Sequence, residues 1–403
     1  MTDRKKTFLG VAAAFVLVPE SFVGPVLVLF YTKSLGLSFQ EMTQFFSLIL
    51  VAKGLTEIPA GLLSDRYGRK AMLVLGEALA ATAMLGLLLL PGSKAALLGL
   101  GVLWGLGNSL SSGNLYPIVQ DALASMNLGD HLPKVISYGQ ATSYLVMFAA
   151  SIAAGYIGEI DLSLPFKIDI AILIAYTLIV GVCLPNSSNQ QLGRGLVDSL
   201  KRTLKNMNFR RSKWLFVVLL MGALAPAIER SNFNFFQPIL TAAGFEIRHL
   251  GYLSSSMFLI GALGGFAFGK TSSNSRMRNG LIWFCCLLCL AAALSCFLGI
   301  GRFSGSSIFL FSANALLVAI FGIVVTNSIL SIVGPEHEFR TTIFSVFAFL
   351  SAIFSATLQT VVGYWQQYLP QIDVVAFCTL AMGLSVITYQ LIGRLLSPAD
   401  SQQ

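Results

Sequence analysis

Six charged residues stand out clearly within long apolar runs of this 403-residue chain: Glu20, Lys53, Glu57, Glu77, Glu229 and Arg230. In hydrocarbon such a charge costs about 2.5–3.5 kcal/mol on insertion scales, so each needs a partner or a task. Four acids stand against two bases, so not every acid finds a cation within the set. An unpaired carboxylate in apolar surroundings is a group that holds and releases protons. Proton exchange is the chemistry these residues offer.

Glu20 follows Pro19, which interrupts the backbone ladder. Counted at the helical rise, Glu20 lies about 18 Å and Lys53 about 15 Å from the same end of their runs. The two meet near the middle. Two readings stand: Glu20 carries a proton, or Glu20 and Lys53 form a fixed ion pair that orders packing. Glu229 is the third coupling candidate. Glu57 and Glu77 lie nearer one end and read as structural.

A second set of residues offers hydrogen bonds. In "PAIERSNFNFFQP", residues 226–238, Arg230, Asn234 and Gln237 share a helical face beside Phe233. Amides with an aromatic make a surface suited to an amphiphilic solute, and Arg230 suits a carboxylate. Asn108, Ser111 and Ser112 share another face, as do Asn314, Thr326 and Asn327. The candidate solute contacts are Asn108, Ser112, Arg230, Asn234, Gln237, Asn314 and Asn327. Polar groups also bind helices to one another, and that plainer reading stands beside the first. His131, His249 and His337 fall between the apolar runs, which argues against a histidine relay.

Two further patterns resolve to packing. Cys285, Cys289 and Cys296 share a face but have no His or Asp nearby, so they read as small core residues rather than metal ligands. "GGFAFGKT", residues 264–271, fits the phosphate-loop pattern G-x-x-x-x-G-K-[ST] letter for letter. That loop works only after a strand and before a helix. Here it closes an apolar run in which Gly261, Gly265 and Gly269 recur every four residues, a stripe for close helix contact. No nucleotide, nucleic acid, metal or other cofactor is expected, and no enzyme constellation is present.

The elements that position these residues follow from composition. The chain is 55% hydrophobic and 11% charged, with mean hydropathy +0.77 and net charge +8. Soluble domains carry about 25% charged residues. Apolar segments run near 8–31, 42–63, 71–91, 95–119, 135–158, 166–184, 214–240, 250–268, 280–300, 305–333, 341–364 and 372–396. Each approaches or exceeds the roughly 20 residues a crossing helix needs. The runs are continuous, not alternating, so they are helices and not barrel strands. A basic start followed by an apolar run to Tyr31 reads as an uncleaved first helix rather than a signal peptide.

Most of the 26 Lys and Arg residues cluster at 4–6, 66–70, 194–213 and 270–278, in gaps that fall on one side. The opposite gaps hold Lys33, Lys94, Lys167, Arg248 and Arg302. This bias puts both termini in the cytoplasm. The polar stretch 185–213 divides six spans, residues 1–184, from six more, residues 214–403. Within it Leu196, Leu200 and Leu204 form one face, as in a short helix lying on anionic lipid. Gly36 and Gly61 recur as Gly244 and Gly269, both at an offset of 208 residues, so the halves are related. Such internal repeats are a transporter signature, with the solute site between them.

"GLLSDRYGRK", residues 61–70, resembles the signature loop of the major facilitator superfamily, G-x-L-[AS]-[DE]-[RK]-x-G-[RK]-[RK]. Gly61, Leu63, Ser64, Asp65, Arg66, Gly68, Arg69 and Lys70 match every fixed position. Gly61 is expected to allow close backbone approach, and Asp65 and Arg69, four apart, to pair on one helix face. The resemblance implies an all-α membrane protein with twelve transmembrane helices in two pseudo-symmetric six-helix bundles. It makes spans 1, 4, 7 and 10 the cavity wall, and Gly61, Asp65, Arg66, Gly68, Arg69 and Lys70 a gating loop. Asp121, at the inner end of span 4, reads as a helix-end or gate residue. "EIPAG", residues 57–61, is similar to the "EIPTG" branch of that family, which holds many exporters.

Two antiporter motifs are absent. Gly101 stands where an Arg precedes the span 4 G-x-G, here Gly105-Leu106-Gly107, and span 5 ends "SIAAGYIG" without proline. Both absences weigh against a drug antiporter and against the proton coupling borrowed from that group. The branch resemblance nonetheless implies a proton-coupled exporter of a small amphiphilic or anionic molecule, siderophore-like or a drug. Proton-coupled uptake symport and a non-transporting membrane sensor are the alternatives. The expected partners are a small-molecule substrate, protons and the lipid bilayer, the expected state a monomer, and the expected place the bacterial inner membrane.

The orientation is directly testable. A green fluorescent reporter fused after Gln403 should fluoresce, and alkaline phosphatase joined at Arg302 should be active. The opposite pair of results would invert the topology.

Overall fold

A chain this apolar must satisfy its backbone polar groups within each segment, and helices do so. The computed structural model describes residues 3–18, 21–90, 93–112, 114–128, 131–185, 209–271, 275–297, 304–333 and 340–396. Among them are helices and no strand. We label them α1 (Asp3–Val16), α2 (Phe39–Tyr67), α3 (Arg69–Leu89), α4 (Lys94–Ser111), α5 (Leu115–Ser125), α6 (Leu132–Ile160) and α7 (Leu164–Cys183). Then come α8 (Phe209–Ala242), α9 (Ile247–Thr271), α10 (Ser275–Phe297), α11 (Ser304–Val333), α12 (Arg340–Trp365) and α13 (Gln371–Leu396). Each apolar segment read from the sequence contains helix among the described residues. The leucine face at Leu196, Leu200 and Leu204 lies outside the described residues. Among the described residues, seven helices are long and apolar enough to cross a membrane by themselves. Large apolar side chains face outward, as Ile160 does at 80% exposure, which suits a lipid surround.

Two spans depart from the continuous helices expected. The first is interrupted after α1 and resumes as a tight turn at Gly24–Val26, one helical turn at Leu27–Leu29 and a widened turn at Phe30–Ser34. The fourth is split into α4 and α5, with Ser112 in an extended conformation between them.

The chain divides into two compact units. One comprises Met1–Arg194 with Gly244–Leu259, the other Gly195–Ala243 with Ile260–Gln403. In the first unit α4 lies against both α2 and α3. A Cβ placed on Gly105 would come within 2.5 Å of the Ile49 carbonyl oxygen, and one on Gly107 within 2.6 Å of the Gly76 carbonyl. Glycine at these points lets three backbones touch. Nearer the signature loop, Val11, Ala14 and Phe15 of α1 join Leu73 of α3, Ile118, Val119, Ala122 and Leu123 of α5, and Tyr176 and Val180 of α7 in one apolar cluster. At the far end of the unit, the Phe166 ring of α7 packs tilted against Phe30 with ring centres 3.8 Å apart. The first turns of α9 pack on α6, where Glu159 accepts the Arg248 N–H at 3.2 Å and the Tyr156 and Tyr252 hydroxyls are hydrogen-bonded.

Gly36 and Gly244, the pair offset by 208 residues, both adopt positive φ, at 67° and 88°. Each turns the chain into the following helix, α2 or α9. The α2 start is fixed by a reciprocal cap: Ser38 Oγ accepts the Glu41 N–H, and the Glu41 carboxylate accepts the Ser38 N–H at 3.0 Å.

In the second unit α8 packs against α11, α12 and α13, and α10 against α11 and α13. Cys285, Cys286, Cys289 and Cys296 are buried along α10, and the Cys289 thiol donates to the Ala313 carbonyl at 3.3 Å. α9 runs without a break through residues 264–271, so no glycine loop forms to hold a phosphate there.

The glycine contact carries a prediction. Gly105→Val forces two methyls against α2 backbone and should cost about 1–3 kcal/mol, the range for overpacking. A lowered unfolding temperature in detergent checks it, with Gly99→Val as control, where a Cβ meets nothing within 4 Å among the described residues.

Candidate functional site

The breaks in spans 1 and 4 expose backbone groups that hydrocarbon cannot satisfy, and side chains take them up. At the first break the carboxylate of Asp169, fully buried on α7, accepts the N–H of Phe22 at 3.0 Å and of Val23 at 2.8 Å. At the second, Asn114 donates its amide to the Leu110 carbonyl at 2.7 Å and to Ser64 Oγ on α2 at 3.0 Å. Ser112 donates its hydroxyl to Glu57 Oε1 on α2 at 2.7 Å. Leu17 and Leu115, which border the two breaks, both pack on the shared apolar cluster. The breaks thus lie at neighbouring levels of one unit.

The sequence-predicted residues fall as follows. Glu20, with Pro19, lies outside the described residues. Lys53 is half-buried on α2, its backbone nitrogen 3.0 Å from where a Gly105 Cβ would sit. Asn108 is half-buried on α4, and its carbonyl accepts the Ser112 N–H at 3.1 Å. Asn108 and Ser112 therefore do adjoin, at the break.

In the second unit Glu229 is half-buried and Arg230 exposed on α8, whereas Asn234 and Gln237 on the same stripe are buried. Asn234 donates to Gln359 of α12 at 2.5 Å. Asn314 donates to Thr379 of α13 at 2.9 Å, and Asn232 of α8 donates to the same hydroxyl at 3.3 Å. These amides join four helices. The Asn327 side chain lies outside the described residues, as does His337. His249 sits in the first turn of α9 rather than between helices, 3.9 Å from Glu246.

A sequence model of the Major Facilitator Superfamily matches residues 9–349. The chain belongs to the major facilitator superfamily. It is a multi-pass membrane protein. It is 24% identical over 250 residues to an uncharacterized MFS-type transporter, YxaM of Bacillus subtilis (strain 168); the match covers 60% of this chain and 58% of that relative's length. The fold is similar to the crystal structure of a mutant form of the nucleoside transporter NupG. That likeness has a TM-score of 0.73 at 12% identity and covers 98% of this chain and 100% of that one. A D-xylose-proton symporter shares the fold at TM-score 0.71 and 11% identity, over 95% and 97% of the two chains.

The signature loop of this superfamily member takes a form the spacing alone does not give. α2 ends at Tyr67, Gly68 adopts φ 96°, and α3 begins at Arg69. The loop is a single glycine hinge, and the family pattern needs glycine there because other residues rarely adopt that φ. Asp65 and Arg69 therefore sit on different helices and not on one helix face. Arg69 reaches Asp121 on α5 at 3.9 Å, which bears on the helix-end role read for Asp121. Lys70 donates to the Leu184 carbonyl at the end of α7 at 2.7 Å. A Cβ added to Gly61 would meet nothing within 4 Å among the described residues. The side chains of Asp65 and Arg66 lie outside the described residues.

Asp169 is the residue that sequence reading missed. It lies only three residues inside the sixth apolar run, where an acid passes for a headgroup-level charge. Its position beside an otherwise unbroken apolar stretch, "IDIAILIAY", was the available signal. Removing it strands the backbone of span 1. Asp169→Ala should cost about 1–3 kcal/mol for each N–H left bare, and Asp169→Asn, which keeps one acceptor, should cost less. Thermal unfolding of the purified protein in detergent checks the order.

Proposed function

We propose that this protein is a secondary active transporter that exports a small amphiphilic or anionic solute by alternating access, coupled to protons moving inward. The observation that carries the reading is the pair of interrupted helices, spans 1 and 4, in one unit. Interrupted membrane helices are where transporters expose backbone and polar groups to solute and coupling ions. A protein that only anchored or sensed has no need of two breaks, each stabilised by a buried polar side chain.

In this reading Glu20, Lys53 and Glu229 serve coupling. Asn108, Ser112, Arg230, Asn234, Gln237, Asn314 and Asn327 meet the solute, with Arg230 and Lys53 favouring an anion. Gly61, Asp65, Arg66, Gly68, Arg69 and Lys70 form the gate, in which the Gly68 hinge and the Arg69–Asp121 pair supply a movable joint and a separable contact. The export direction rests on the "EIPAG" resemblance, and the place is the bacterial inner membrane with both termini cytoplasmic. Uptake symport is the second reading, and the D-xylose-proton symporter that shares the fold is a symporter by name.

Inside-out vesicles with an acid interior test this. Cationic, neutral and carboxylate solutes are added outside in turn. Collapse of the gradient by carboxylates or amphiphiles is the expected result. Collapse only when solute is loaded inside would reverse the direction and make the protein a symporter. No collapse with any solute on either side would sink the transport reading for those classes. In Glu20→Gln the collapse should be lost; wild-type behaviour would make Glu20 half of a structural ion pair.

A further inference from the structure

Glu57 has been given no role so far, yet its surroundings are specific. It lies on α2, ten residues from the Tyr67 end, about 15 Å at the helical rise. Its Oε1 accepts the Ser112 hydroxyl at 2.7 Å. Its Oε2 is buried and has no hydrogen-bond partner among the described residues. Ser112 stands at the point where span 4 loses its helix, and its Oγ also lies 3.1 Å from the Ser109 carbonyl.

The ionisable groups on the packed elements are few. On α2 itself Lys53 is one turn away, and Asp65 and Arg66 lie toward its end. On α3, Arg69 is engaged with Asp121 of α5 and Lys70 with the Leu184 carbonyl, while Glu77 is within electrostatic reach of Tyr176 on α7. α4 carries only Lys94, at its opposite end.

We propose that Glu57 and Ser112 form a proton-exchanging site at the break of span 4. The serine has one hydroxyl proton and two acceptors in reach. With Glu57 ionised, that proton goes to Glu57 Oε1. When Glu57 takes up a proton, its new O–H donates to Ser112 Oγ, and the serine hydroxyl turns to the Ser109 carbonyl. One proton is added to one carboxylate oxygen, no other bond is made or broken, and the hydrogen bond between the two residues survives in both states with its direction reversed. Neither state strands the carboxylate oxygen that faces the serine, which is what a reversible site in hydrocarbon requires.

The reversal also has a mechanical address. α4 is clamped to α2 and α3 by the Gly105 and Gly76–Gly107 contacts. α5, beyond the break, belongs to the cluster with α1. The serine whose hydroxyl reorients is the joint between the clamped piece and the other piece. The role of this proton in coupling rests on the transporter reading; the site itself does not.

Infrared difference spectroscopy of the full-length protein in lipid, stepped between acid and alkaline buffer, needs no solute. A protonated-carboxyl C=O band should appear in acid, vanish in Glu57→Gln, and move to higher frequency in Ser112→Ala, which keeps the acid but removes its partner. An unchanged band in Glu57→Gln overturns the proposal. Should that variant not fold, an unmoved band in Ser112→Ala overturns it equally. A band that behaves as expected in a protein that moves no solute would leave the proton site standing and the transport reading fallen.

Discussion

Hydrocarbon offers no hydrogen bonds, and this constraint governs the molecule. It turns the apolar runs into helices, and it makes every departure from a helix an obligation to supply donors and acceptors from side chains. The two breaks meet that obligation in different ways. At span 1 a buried carboxylate from α7, Asp169, takes two backbone N–H groups. At span 4 an asparagine amide takes the Leu110 carbonyl, and a serine reaches to an acid on α2. The polar residues that look most like function are also the ones that make irregular backbone possible in this medium.

Burial in the second unit follows the same rule with unbroken helices. Asn232 and Asn314 converge on one threonine of α13, and Asn234 finds Gln359 on α12. There the amides bind helices to each other rather than repair a backbone. The proposed solute contacts on α8 thus divide between an exposed charged residue, Arg230, and buried amides that already have protein partners.

Much of the architecture was readable from residue order. Continuous apolar runs of span length predict helices, and the signature loop names the superfamily that the family model matches over residues 9–349. The break in span 4 was not readable, because "SSGN" interrupts hydropathy too briefly to end a run; at span 1 Pro19 marks an interruption, but only backbone geometry separates a kinked span from a split one. Periodicity also misled at the loop. Asp65 and Arg69 are four apart in sequence, but a glycine at φ 96° between them cancels helical spacing. Asp169 escaped notice because depth along a span is poorly marked by sequence, and its partners, backbone N–H groups at residues 22 and 23, have no side-chain signature. Glu57 was visible but looked structural until Ser112 appeared beside it.

The matched left-handed glycines at 36 and 244 speak to how such a chain changes over generations. If the halves descend from a duplicated ancestor, the turn has outlasted the chemistry around it: at the same offset in sequence, Lys53 and Glu57 correspond to Gly261 and Gly265. Two copies of one hairpin are thereby released from each other in what they bind while remaining tied in how they bend. Divergence in such a molecule is free to accumulate in the charges of one copy, because the other copy keeps the scaffold's symmetry without needing them.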